Sequence, residues 1–142
     1  MDAQLNQQCA TLRAMSSAEA AQWLLREYPA ASPASAVALQ LIPHRSWQRS
    51  EQRLLAEHYL TLSFASARPY QAFCSIMPTR VLADWVAQRL PQSPRDRSLL
   101  AYLLLPTLKQ HIRTERDAEA MERLAQALRD KAESDPEHTA DE

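Results

Sequence analysis

The chain has 142 residues, of which 46% are hydrophobic and 23% charged, with a net charge of −1 and no glycine. Such a length suits one domain with a sizeable core, and the balanced charge argues against a dedicated polyanion binder. The missing glycine excludes more: phosphate-cradling loops, dinucleotide fingerprints, nucleophile elbows and EF-hand loops all place glycine where backbone turns sharply or approaches a ligand.

The same absence points to the fold class. There are 24 alanines and 20 leucines against three valines and three isoleucines. Alanine and leucine lose little on entering a helix, whereas β-branched residues favour strands. Tight hairpins need positive φ from Gly, Asn or Asp, and the one asparagine is Asn6. The expected fold is all-α, as a compact multi-helix bundle or a short stack of antiparallel helix pairs, with about seven helices. Residues 1–133 are expected to form a single helical domain and 134–142, "SDPEHTADE", an acidic disordered tail.

In chain order, a first helix is expected over 3–15, with Leu5, Cys9 and Leu12 on one stripe. "SSAE" (Ser16 to Glu19) reads as a capping box opening a second helix that ends before Pro29. Its apolar side carries Ala21, Trp23, Leu24 and Tyr28. "SPAS" places Ser32 as N-cap and Pro33 at the first position of a short third helix, which stops at Pro43. Ser46 is expected to open a fourth helix running to about Ser63, with Trp47, Leu54, Leu55, His58, Tyr59 and Leu62 inward.

"ARPYQAFCSIM" (Ala67 to Met77) reads as a fifth helix, and Thr79 as the cap of a sixth that turns Val81, Leu82, Trp85, Val86 and Leu90 inward. Ser93 caps a seventh with Pro94 at its first position. There Leu99, Leu100, Leu103 and Leu104 are expected to wrap more than half the circumference, as on a central buried helix, with a kink or break caused by Pro106. Thr114 with Asp117 resembles a capping box with the shorter acid, and Met121, Leu124, Ala125 and Leu128 form a narrow seam. Over Ser46 to Leu128, prolines just inside paired amphipathic helices resemble HEAT-type solenoids in architecture, with no shared motif.

Chemistry is sparse. Cys9 and Cys74 lie 65 positions apart without a CxxC pattern, so free thiols in a reducing compartment are expected. His44, His58, His111 and His138 form no helical metal-ligand spacing, so no metal and no cofactor is expected. Cys74 with His58 or His111 is the one nucleophilic pairing the composition offers, and the expectation is that the protein is not an enzyme. "MDAQLNQQCATLRAM" lacks an apolar signal segment, and the run "LLAYLLLP" is far short of the ~20 residues that span a bilayer. A cytoplasmic protein with no membrane contact is expected.

Charge is segregated. Residues 67–113 carry seven basic against two acidic residues, net +5, and 114–142 four against ten, net −6. Fourteen of the sixteen basic residues are arginine, which suits bidentate contacts and interfaces. Arg95 and Arg97 sit in the first turn of a helix, where the dipole disfavours cations; the readings are a use beyond folding, or that they keep a very apolar helix soluble or pair with Asp84 or the acidic tail. The functional expectation is a helical interaction module (adaptor, small chaperone or inhibitor) gripping another protein through Arg68, Arg89, Arg95 and Arg97. Its alternatives are a homodimer through the Met121–Leu124–Leu128 seam and nucleic-acid binding by segment 67–113.

Overall fold

The structure, a computed structural model, describes residues 3–60 and 66–133. Among them the fold is all-α: α1 (Ala3–Ala14), α2 (Ser17–Glu27), α3 (Ser35–Leu41), a 3-10 turn (Ile42–His44), α4 (Arg49–Tyr59), α5 (Arg68–Cys74), α6 (Thr79–Ala87), α7 (Pro94–Gln110) and α8 (Glu115–Glu133). No strand occurs among the described residues. By its contacts the chain gathers into two compact units. One comprises Met1–Thr61 and Gln71–Met77, the other Leu62–Tyr70 and Pro78–Glu142. The expected tail at 134–142 lies outside the described residues.

In the first unit the capping box forms as read. The Ser16 hydroxyl accepts from the Glu19 amide at 3.2 Å, and the Glu19 carboxylate accepts from the Ser16 amide at 3.4 Å. Helix α2 buries Ala20, Ala21 and Leu24 and packs on α4, which buries Leu55, Ala56 and Tyr59. Two starts move. "SPAS" forms successive tight turns, with the amides of Ser35, Ala36 and Val37 donating to the carbonyls of Ser32, Pro33 and Ala34, so regular helix begins only at Ser35. Helix α4 opens at Arg49 rather than Ser46, because Arg45 and Gln48 are extended (ψ 161° at both). Trp47 therefore precedes the helix, buried, with its indole N–H on the Ile42 carbonyl at 2.9 Å. His58, expected on the apolar side, is exposed, and the expected extension of this helix over 61–63 lies outside the described residues.

In the second unit α8 packs along both α6 and α7. It buries Ala120, Leu124, Ala125 and Leu128, α7 buries Leu100, Leu104 and Leu108, and α6 buries Leu82, Ala83 and Val86. Leu124 and Leu128 of the α8 seam are thus packed inside their own unit, with Met121 half-buried. The buried stripe of α7 is narrower than expected: Leu99 and Leu103 are only half-buried. Nor does Pro106 break the helix, which runs on to Gln110. Pro106 and Tyr102, whose carbonyl loses its amide partner, are both exposed, so water can satisfy the orphaned oxygen.

No residue among those described has positive φ, so the left-handed C-cap that glycine usually supplies is not used. Long side-chain donors close the helix ends instead. Arg45 Nη1 reaches the carbonyls of Leu12, Met15 and Ser16, at 2.9, 2.9 and 3.3 Å, just where α1 ends. The Tyr59 hydroxyl donates to Leu24 and Tyr28 at the end of α2, at 2.9 and 2.7 Å. Arg89 Nη1 donates to the Trp85 carbonyl at 2.8 Å, and the Thr79 hydroxyl to that of His111, the α7 C-cap, at 3.0 Å.

Candidate functional site

The four arginines singled out from the sequence belong to the second unit and have different fates. Arg68 and Arg95 are exposed. Arg89 is half-buried, its guanidinium carbon 4.0 Å above the Trp85 ring, a stacking geometry that favours a cation on an aromatic face. Arg97 is buried, and its Nη1 donates to the carbonyls of Pro91 and Gln92 at 2.6 and 2.7 Å. Its place in the first turn of α7 thus has a folding explanation: the guanidinium turns back to satisfy the loop from α6.

A residue whose full role the sequence reading missed is Asp117, 3% exposed. One carboxylate oxygen accepts from the Arg113 and Thr114 amides at 3.1 and 3.2 Å, and the Thr114 hydroxyl accepts from the Asp117 amide at 3.1 Å. That completes the capping box read from sequence. The other oxygen accepts from the Arg80 amide at 3.1 Å, so Asp117 also caps α6, where Thr79 was expected to do so. The Arg80 guanidinium adds an ion pair at 3.5 Å. Burial pushes this carboxyl's pKa up, but the amides of Arg113, Arg80 and Thr114 and the Thr114 hydroxyl outweigh it and hold it below the ordinary value. No local pattern marks the α6 contact, since Arg80 and Asp117 lie 37 positions apart.

The nucleophile candidate fares poorly. Cys74 is buried, and burial pushes its thiol up to about 12, so the unreactive thiol form prevails at neutral pH. His58 is exposed, while the His111 ring donates its Nδ1–H to the Thr107 carbonyl at 2.9 Å. Among the described residues no three His, Cys, Asp or Glu side chains gather as a metal would require.

What remains distinctive lies on the outward side of α7. Tyr102 is 78% exposed, the one large hydrophobic side chain so displayed among the described residues. Leu99 and Leu103 beside it are half-buried, and Pro106, Arg95 and Lys109 are exposed. At 100° per residue these six fall within an arc of roughly 120°. A neighbouring flank of α7 borders a shallow groove of about 290 Å³ against α8, lined by Ser98, Ala101, Leu105, Ala125 and Leu128 with Arg97 and Arg129. In the first unit, a groove of about 420 Å³ runs along α2 beside Trp23, which meets Tyr28 edge-on at 6.0 Å. Its carboxylate, Glu19, is already engaged by the Ser16 amide.

Of all the described helices, none is long and apolar enough to cross a membrane. No family model, curated protein or solved structure matches the chain.

Proposed function

We infer that this chain is a non-catalytic, cytoplasmic helical module that binds another protein. The observation that carries this reading is Tyr102, a large aromatic left almost bare on a helix whose opposite side is fully packed. Exposed aromatics of this kind anchor protein interfaces because they bury much area at small entropic cost. The nucleic-acid alternative draws on the net +5 of residues 67–113. Against it, Arg80 pairs with Asp117, Arg89 stacks on Trp85, and Arg97 is buried on loop carbonyls. Four exposed cations remain of the seven: Arg68, Arg95, Lys109 and Arg113.

The test is retention of binding partners by immobilised full-length chain at about 50 and 200 mM salt, wild type beside Tyr102→Ala. A protein held at both salts by the wild type and released by the variant supports the module. Retention of nucleic acid at the lower salt alone, with no protein at either, overturns it.

A further inference from the structure

Beyond the bare statement that a protein is bound, the α7 surface constrains what that protein offers. Leu99, Tyr102, Leu103 and Pro106 make an apolar stripe at helical spacing, with exposed Tyr102 at its centre. Arg95 stands at one end of the stripe and Lys109 at the other, both exposed. They are 14 positions apart, which is about 21 Å along a helix. Asp96, the one carboxylate of α7, lies at the edge of this arc.

We propose that this face docks an amphipathic segment of a partner protein that lays apolar side chains over Tyr102 and carries a carboxylate cluster at each end. The argument is charge complementarity around an apolar stripe that the described residues leave partly or fully exposed. A second copy of the chain in antiparallel register would set Arg95 against Lys109, cation on cation, which like-charge repulsion disfavours. A nucleic acid would gain from the two cations but would leave Leu99, Leu103 and Pro106 without a matching surface, since phosphate contacts come from Arg and Lys. The acidic sequence 134–142 contains no large apolar residue to cover the stripe. A span of about four turns fits a partner helix of 15 or so residues, read by anchors at every third or fourth position.

This docking rests on the interaction-module reading, and the experiment separates the two. The probe is a synthetic helical peptide with leucine and phenylalanine on one face and paired glutamates at both ends. Its control carries lysines in place of the glutamates. Both are titrated into uniformly labelled full-length chain and followed by amide chemical shifts. The glutamate peptide is expected to bind at least about tenfold more tightly than the control, with shifts concentrated on residues 95–110. Tyr102→Ala is expected to weaken it about tenfold or more while leaving the melting temperature unchanged. Arg95→Glu with Lys109→Glu is expected to reverse the peptide preference, a readout that loss of fold could not produce. Equal affinity for the two peptides, shifts centred elsewhere, or no binding up to about 1 mM overturns the proposal. So does concentration-dependent self-association abolished by Tyr102→Ala, which would assign the face to a second copy. If the natural partner is still captured by Tyr102→Ala, this surface is wrong and the module reading stands; if the wild type captures no protein, the module reading itself falls.

Discussion

Asp117 shows how much a single buried carboxylate can organise. It joins the first turn of its own helix to the amide of Arg80 on α6, so removing it leaves three backbone donors without their acceptor. Loss of an N-cap and of charge-assisted hydrogen bonds predicts that Asp117→Ala destabilises by about 2–3 kcal/mol in urea unfolding. The pH dependence follows from the direction of its pKa. Because the folded value lies below the unfolded one, its contribution is complete above the unfolded value and is lost as pH falls through the folded one. The stability gap between wild type and Asp117→Asn should therefore shrink on acidification from about pH 5 to pH 2, and a gap constant over that range would show that the charge is irrelevant. Tyr59 is the alkaline counterpart. Burial pushes its phenol up to about 12, so its contribution holds below about pH 10 and is lost as pH rises toward the folded value. Tyr59→Phe, which keeps the ring but frees the Leu24 and Tyr28 carbonyls, is expected to cost about 1–2 kcal/mol at neutral pH and to flatten the unfolding curve between about pH 10 and 12.

For the elements, the helix starts marked by a local capping motif were legible, whereas the starts of α3, α4 and α6 and the side-chain closures of several C-terminal ends were not. Ser16 with Glu19, Ser93 with Pro94 and Thr114 with Asp117 all act within one turn of themselves, and each forms as read. Apart from Arg89, four positions from Trp85, the C-terminal closures draw on residues far along the chain: Arg45 reaches back 33 positions to Leu12, and Tyr59 reaches 35 to Leu24. Local patterns carry no trace of such contacts, although the lack of glycine signals that something must replace the usual cap. The same distinction explains α7. Four leucines in six positions suggest burial all round, but packing against α8 from one side selects the 100–104–108 row and leaves 99 and 103 half-covered. Leu104→Ala is accordingly expected to cost about 2–5 kcal/mol and Leu103→Ala less than half of that, measured by denaturant midpoint at constant slope. Equal penalties would mean that Leu103 is packed as tightly as Leu104.

Over the whole molecule, the segregation of charge in sequence overstates its segregation in space. The basic segment 67–113 and the acidic segment that follows it fall largely within one compact unit, where α6 and α7 lie against α8. Opposite charges thereby meet inside that unit, as in Arg80 with Asp117 and Arg123 with Asp84. These two pairs should not be weighed alike. Arg80 meets a carboxylate that is 4% exposed and already fixed by backbone amides, whereas Arg123 and Asp84 are 65% and 61% exposed and 4.0 Å apart. An exposed pair at that separation gains little over its hydrated partners and is screened by salt. Arg123→Ala is therefore expected to shift stability by no more than about 0.5 kcal/mol, with the shift vanishing at about 0.5 M salt. A loss above about 1 kcal/mol that persists at high salt would show that the α6–α8 contact is electrostatic at its surface, rather than held by Leu82, Val86, Leu124 and the Asp117 cap beneath it.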